Sequence, residues 1–212
     1  MPKQIKDPVH GYIEVPAEIL PLVDSPALQR LHHIRQLGFA YLVYPGANHT
    51  RFEHSLGAMH LASLLCRHLG FGTAETRTIC CAALLHDIGH GPYSHASERL
   101  MQEYTQFSHD DIREQLKEPI LAKQLEKNSI SPDEVAALIS GCHRYAGIIH
   151  GDLDVDRMDY LLRDAHYTGA PYGNFDAERL TKSLAVVDNT IVLNESGISA
   201  AESLLIARTL MG

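Results

Sequence analysis

Histidine is frequent in this chain, and one histidine–aspartate pair stands where a metal could bind. Fourteen of the 212 residues are histidine. His86 and Asp87 end an apolar stretch, and a glycine-rich turn containing His90 follows them. A helix end that exposes adjacent imidazole and carboxylate groups suits Mn, Fe, Co, Ni or Zn. The pair alone is weak evidence, because chance predicts about one such dipeptide and His109 begins a second.

Further ligands are needed, and two other predicted helices offer them. His54 lies one turn after Arg51, so their side chains share a helix face. Asp156 begins a later helix, where the helix dipole favours any carboxylate. That ordinary explanation is sufficient for the neighbouring Asp152 and Asp154.

Several polar residues could act on a substrate without binding metal. His95 and Glu98 are three residues apart at a predicted helix start, so the carboxylate could orient and charge the imidazole. Arg157, Tyr160 and Asp164 form one stripe of a helix. Such a stripe suits phosphate and sugar recognition, although an ordinary solvent-exposed face gives the same pattern.

The elements that must position these residues are mostly helices. Apolar periodicity and capping residues, including Ser25, Thr73, Ser131 and Ser199, predict helices at 25–34, 51–69, 73–86, 94–104, 132–140, 156–165 and 199–210. Short strands are predicted at 12–15, 40–44 and 191–193. The predicted fold class is mainly α, a helical bundle with a few short β-strands.

Composition excludes several classes of protein. The chain is 45% hydrophobic, which is enough for a buried core, and its net charge of −8 argues against a wide basic surface for nucleic acid. The longest apolar run, Ile79–Leu85, is too short to span a membrane. Cys80 and Cys81 lie in that run, and the four cysteines of the chain show no CxxC spacing. We therefore expect the cysteines to be small buried residues with reduced thiols, in a cytoplasmic protein.

Seven motifs in a fixed order resemble the HD-domain deoxynucleoside triphosphate triphosphohydrolases, including the animal enzymes that carry a sterile-alpha-motif domain. These motifs are residues 7–14, 28–31, 34–38, 45–57, 86–95, 154–160 and 163–164. The resemblance extends from about residue 3 to residue 210. It implies an HD-domain helical bundle and the hydrolysis of a dNTP to a deoxynucleoside and inorganic triphosphate.

The resemblance also implies a role for individual residues. The metal ligands would be His54, His86, Asp87 and Asp156, holding one divalent transition metal, with Mg accompanying the substrate. The groups around the scissile phosphate would be His90, Glu98 and His109. The groups that contact the rest of the substrate would be Gln36, Leu37, Arg51, His95, Arg157, Tyr160 and Asp164.

Regulation and assembly are implied as well. Lys3, Asp24 and Gln29 match parts of a guanine-nucleotide activator site, in which His32 replaces an arginine. We expect a homo-oligomer. We also expect residues 1–212 to form a single domain that lacks C-terminal substrate contacts found in the family. The final helix should bury an apolar face of Leu204, Leu205, Ala207 and Leu210.

Two other functions fit parts of the pattern. An HD phosphohydrolase acting on nucleoside monophosphates or cyclic dinucleotides would use the same metal ligands. A non-catalytic nucleotide-binding regulator would have a degenerate site. Gln36, Arg51 and Tyr160 favour the dNTP reaction over the first alternative, and the intact ligand set argues against the second.

Overall fold

Helices dominate the described part of the chain, residues 2–93, 103–104 and 112–211 of a computed structural model, which confirms the predicted fold class. The α-helices are α1 (Leu20–Val23), α2 (Pro26–Gln29), α3 (Arg51–Leu69), α4 (Thr73–Leu85), α5 (Arg113–Leu116), α6 (Pro119–Lys127), α7 (Pro132–Ile139), α8 (Val155–Thr168), α9 (Ala177–Ser183) and α10 (Ile198–Met211). Within the described ranges, none of them is both long and apolar enough to cross a membrane.

Short 3₁₀ turns connect several of these helices. They are Arg30–His33, Ala40–Leu42, His86–Gly89, Ala146–Ile148, Pro171–Gly173 and Glu195–Gly197. The turn at His86–Gly89 continues directly from α4 and carries His86 and Asp87.

Two antiparallel hairpins complete the fold. Strand β1 (Lys3–Asp7) pairs with β2 (Gly11–Val15), and β3 (Leu184–Val187) pairs with β4 (Thr190–Leu193). Strands predicted at 12–15 and 191–193 are confirmed. The strand predicted at 40–44 is wrong, because the amide of Tyr44 donates to the carbonyl of Ala40 and closes a helical turn.

Helix α3 is the central element and is buried along most of its length. It begins at a capping box, in which the Thr50 amide donates to the Glu53 carboxylate over 2.6 Å. It ends at Gly70, whose left-handed φ of 71° favours glycine. Helices α4 and α8 pack against α3, and α3, α8 and the 3₁₀ turn that follows α4 carry the candidate metal ligands.

Some helix starts differ from the prediction. Ser131 does cap α7, since its hydroxyl accepts from the Glu134 amide at 3.3 Å. Thr73 does not cap α4, because Gly72 occupies the cap position. Ser199 lies inside α10, where its carbonyl accepts from the Ser203 hydroxyl, since a preceding 3₁₀ turn already starts the helix at Ile198.

The last helix buries only part of its predicted apolar face. Leu204 and Ala207 are buried, but Leu205 is 43% exposed and Leu210 is 56% exposed. Ile206 is also exposed. The face that α10 packs into the core is therefore narrower than its hydrophobic sequence predicted.

Cysteine reactivity gives a first test of the packing. Cys66, Cys80 and Cys81 are buried, whereas Cys142 is exposed. Burial raises the pKa of the Cys80 thiol to about 12, and it raises the pKa values of Cys66 and Cys81 as well. We expect an aromatic disulfide reagent at pH 8 to modify one thiol per native chain and four after denaturation. Rapid modification of two or more native thiols would contradict this packing.

Candidate metal centre

Four side chains from three parts of the fold converge at one point. His54 lies on α3, His86 and Asp87 lie on the 3₁₀ turn after α4, and Asp156 lies in the first turn of α8. The Nε2 atom of His54 is 3.0 Å from Asp156 Oδ1 and 3.2 Å from His86 Nε2. The His86 Nε2 atom is 3.5 Å from Asp87 Oδ1 and 3.7 Å from Asp156 Oδ1.

These separations fit the coordination sphere of a single ion. Nitrogen and oxygen ligands lie about 2.0–2.2 Å from zinc, so two ligand atoms on one ion can be at most about 4.4 Å apart. The side chains of His54, His86 and Asp87 approach one another over 3.2, 3.5 and 3.9 Å, and the Asp156 carboxylate lies against both imidazoles. The side chain of Asp156 is 35% exposed whereas that of His54 is 1% exposed, so the cluster opens to solvent beside Asp156.

The hydrogen bonds of the two histidines determine which nitrogen faces the cluster. The Nδ1–H of His54 donates to Asp159 Oδ2 at 2.8 Å, and the Nδ1–H of His86 donates to the Ala83 carbonyl at 2.7 Å. Both acceptors lack protons, so each neutral imidazole carries its lone pair on Nε2. Two Nε2 lone pairs only 3.2 Å apart are stable together only if a cation, either a proton or a metal ion, lies between them.

The electrostatics of the cluster also favour a cation. Burial lowers the pKa of His54, but hydrogen bonds to Asp156 and Asp159 outweigh burial and raise it to about 10. The pKa of His86 is raised against its burial by the charges of Asp87 and Asp156. Burial opposes ionisation of Asp156, yet hydrogen bonds to the two histidines hold its pKa well below the usual value. The donor set therefore fits a divalent metal.

Two residues predicted to act on the substrate lie directly against the candidate ligand Asp87. The guanidinium of Arg51 donates to Asp87 Oδ2 at 2.7 Å, and His90 Nε2 lies 3.3 Å from Asp87 Oδ1. Arg51 and His90 are both buried. The structure thus gives Arg51 a contact with a candidate ligand, in addition to the substrate role that its motif implies.

The predicted sugar-recognition residues belong to a second group of contacts. The backbone N–H of Gln36 donates to the backbone carbonyl of His49 at 3.1 Å. The ring Nε2 atom of His49 is 2.7 Å from Asp164 Oδ1. Asp164 is buried, so it does not belong to a solvent-exposed stripe. The buried Oε1 atom of Gln36 has no hydrogen-bond partner among the described residues. Leu37, next to Gln36, is half-buried.

Arg157 and Tyr160 lie on the same helix as Asp156. The Arg157 guanidinium donates to Asp154 Oδ2 at 2.8 Å, and its side chain is 20% exposed. Tyr160 is half-buried, and burial together with the charge of Asp156 raises its pKa. Arg157 and Tyr160 are therefore on the helix turn that carries Asp156.

The remaining predicted site residues are less informative. His95, Glu98 and His109 lie outside the described residues. Lys3 and Asp24 are exposed, and the Gln29 side chain donates to the Val23 carbonyl at 2.9 Å. The activator site therefore stays a prediction.

Two further residues support the candidate ligands and were not predicted from the sequence. Asp159, completely buried, accepts the Nδ1–H of His54. Its position three residues after Asp156 on one helix was a usable signal, because such residues share a face. The Arg30 guanidinium donates to the backbone carbonyls of Ile88 and His90 and so stabilises the turn that carries His86. No sequence pattern indicates this second contact, because the two segments are distant in the chain.

Similarity to known proteins agrees with this site. The chain matches the HD domain over residues 51–164 and the HD associated region over residues 175–212. It is 40% identical over 210 residues to an uncharacterized protein of Methanocaldococcus jannaschii, covering 97% of this chain and 44% of that protein. It is 32% identical to human deoxynucleoside triphosphate triphosphohydrolase SAMHD1, covering 89% of this chain and 37% of that protein.

A solved structure shows the same fold. The crystal structure of a hypothetical protein from Aquifex aeolicus matches with a TM-score of 0.89 and 40% identity, covering 100% of this chain and 58% of that one. The chain thus spans roughly half the length of these relatives, and the predicted single domain over residues 1–212 stays a prediction. The HD match covers more than half of the chain and includes all four converging residues, so the protein belongs to the HD-domain family.

Proposed function

We propose that this chain is a metal-dependent phosphohydrolase that converts a dNTP into a deoxynucleoside and inorganic triphosphate. The observation that carries the proposal is the convergence of His54, His86, Asp87 and Asp156 with both histidine Nε2 atoms directed into one cluster. The dNTP specificity is supported by the similarity to SAMHD1 proteins, which are named as deoxynucleoside triphosphate triphosphohydrolases.

The proposed division of labour follows from the contacts. A divalent metal held by the four residues supplies Lewis-acid chemistry for hydrolysis of the phosphoester. Arg51 brings a positive charge and His90 an imidazole beside Asp87, where they can stabilise charge that develops on the phosphate. Gln36 and Asp164 offer a buried amide oxygen and a carboxylate that can accept from a sugar hydroxyl. His109 and Glu98 would transfer protons.

The reaction itself is the main test of this proposal. The 212-residue chain is incubated with each of four dNTPs and four NTPs, in the presence of Mn²⁺, Mg²⁺, Fe²⁺, Co²⁺ or Ni²⁺, and inorganic triphosphate is measured. Release of triphosphate from a dNTP is the expected result. Hydrolysis of nucleoside monophosphates or cyclic dinucleotides alone would support the alternative phosphohydrolase. Binding of nucleotides without any turnover would support a regulator.

The sugar pocket leads to a prediction about substrate choice. Gln36 and Leu37 belong to the motif that recognises the sugar in the resembled family, where close packing leaves little room for a ribose 2′-hydroxyl. We expect kcat/KM for dATP to exceed that for ATP by about 10-fold or more. Equal values for the two nucleotides would contradict the assignment of this pocket.

Proton transfer and metal binding should be separable by mutation. His109→Ala should lower turnover by about 10²–10⁴-fold, which is typical for loss of a general acid. The variant should retain its metal, because His109 is not proposed as a ligand. Metal content measured by atomic emission decides the matter, and loss of metal from this variant would place His109 among the ligands.

We also propose that the protein forms a homo-oligomer, as the resemblance implies. The segment after α2 supports this, since Leu42 is 70% exposed and Val43 is 75% exposed, and Phe39 stacks on Tyr93 at its edge. Apolar groups exposed together commonly mark an interface. Light scattering on the purified chain tests the proposal, and a strictly monomeric mass at all concentrations would refute it.

A further inference from the structure

The turn of the N-terminal hairpin has no part in the proposed reaction, although it carries one of the motifs in the sequence. Asp7 ends β1, and its Oδ1 atom accepts from the backbone amides of Val9 and His10 at 2.9 and 2.8 Å. Its Oδ2 atom accepts from the Arg163 guanidinium at 2.8 Å. Asp7 is 5% exposed and the Arg163 side chain is 0% exposed, so this ion pair lies inside the protein.

Arg163 connects that turn to a second buried carboxylate. Its Nε and second terminal nitrogen donate to Asp159 Oδ2 and Oδ1 at 2.8 and 2.9 Å. His10 adds a bond from Nε2 to Asp159 Oδ1 at 2.6 Å. The remaining bond of Asp159 is the one from His54 Nδ1 at 2.8 Å. Four donors from three parts of the chain therefore surround one carboxylate.

The packing leaves room for this carboxylate only because α3 has a glycine opposite it. A Cβ atom at Gly57 would lie 1.8 Å from Asp159 Oδ1 and 2.5 Å from the Arg163 guanidinium. The backbone of α3 thus approaches the carboxylate closely, one turn after His54. Gly57 and Asp159 together fix the distance between α3 and α8 at this position.

We propose that Asp159 is a positioning residue for the metal centre. Asp7 and His10 of the N-terminal hairpin and Arg163 of α8 hold Asp159 in place. The proposal rests on the metal centre of the proposed function. Asp159 keeps a proton on His54 Nδ1 and so directs the lone pair of Nε2 towards the metal. Outer hydrogen bonds of this kind orient a ligating imidazole and increase its basicity.

A carboxylate is required at this position, and an amide of the same shape would fail. An asparagine side chain offers one acceptor oxygen and one NH₂ donor, whereas the groups that surround the Asp159 carboxylate are all donors. In the Asp159→Asn variant, the amide NH₂ would therefore face His54, His10 or Arg163. A donor facing His54 Nδ1 would favour the tautomer with its proton on Nε2, which cannot bind a metal through that atom.

The test compares the 212-residue Asp159→Asn variant with the 212-residue wild-type chain by two measurements. Calorimetric titration with Mn²⁺ alone should show affinity that is about 10–100-fold weaker, the usual effect of losing an outer partner. Proton NMR should show that the deshielded Nδ1–H resonance of His54, assigned by its absence from His54→Ala, is lost. A purely structural role would lower the Tm without changing either measurement.

Control variants separate positioning from stability. Ser131→Ala removes the cap of α7 and should lower the Tm, while its Mn²⁺ affinity stays at the wild-type value. If Asp159→Asn does not fold, the Mn²⁺ affinity of His10→Ala tests the positioning role of Asp159 instead. That variant removes one of the four donors, and we expect its Mn²⁺ affinity to fall about threefold or more, in the direction of the full loss of an outer partner.

The outcomes also distinguish this inference from the proposed function. Wild-type affinity for Mn²⁺ in Asp159→Asn, or in His10→Ala if the first variant is unfolded, overturns the inference and leaves the proposed function standing. A wild-type chain that binds no divalent metal overturns the proposed metal centre instead. The NMR resonance of His54 then still shows whether Asp159 determines the protonation of that imidazole.

Discussion

Asp87→Asn is expected to abolish metal binding and to lower the rate of triphosphate release by more than about 100-fold. Loss of a residue that only hydrogen-bonds to a metal ligand already lowers metal affinity or activity by about 10–100-fold. Asp87 has three roles, because it faces His86 as a candidate ligand, accepts from Arg51 and lies 3.3 Å from His90 Nε2. An amide at this position would direct its NH₂ towards one of these positively charged or donor groups.

Metal content and turnover of Asp87→Asn are best compared with those of Asp152→Asn. The Asp152 side chain is 86% exposed and lies just before α8, so its replacement should change neither quantity. Stoichiometric metal in Asp87→Asn, with turnover near that of the wild type, would show that the ion is bound elsewhere.

Arg163→Met is expected to give the largest loss of stability, about 3–5 kcal/mol, the range for breaking a buried ion pair on one side. The variant leaves the carboxylates of Asp7 and Asp159 buried without their shared cation. The pKa of Asp159 is held far below its usual range, because hydrogen bonds from His10 and His54 and the charge of Arg163 outweigh its burial. Urea denaturation of metal-free protein measures the effect.

Arg144→Met is the matched control for this substitution. Arg144 pairs with Glu75 at 2.9 Å, but the Arg144 side chain is 55% exposed. An exposed pair of this type contributes about 0–1 kcal/mol. Equal losses of stability in the two variants would mean that the buried network is no stronger than a surface ion pair.

The sequence was informative where local chemistry determines structure. Apolar periodicity predicted the helix that α3 forms from residue 51 to residue 69, and the glycine-rich turn predicted the end of the helix beside His86. Those local signals were enough to predict that the candidate ligands lie at helix ends. The convergence of Asp156 with the two histidines was implied by the family resemblance, and the structure brings these side chains together.

The supporting residues could not be predicted in the same way. Asp159 and Arg163 look like an ordinary pair of charges four residues apart on a helix, and nothing local indicates that both are buried. Their burial depends on Asp7 and His10, which reach them only after the chain has folded. The strand predicted at 40–44 was wrong for the opposite reason, because apolar residues suggested a strand for which the described part of the chain supplies no pairing partner.

The contact between Asp7 and Arg163 joins positions that are 156 residues apart in the chain. A ribosome that adds about 5–20 residues per second needs on the order of ten seconds to synthesise the intervening segment. His54 therefore leaves the ribosome well before Asp159, the residue proposed to fix its protonation, which follows 105 positions later. With the proposed metal centre, we expect a nascent chain to bind its metal with native affinity only after α8 has left the ribosome, in the late stage of synthesis or after release.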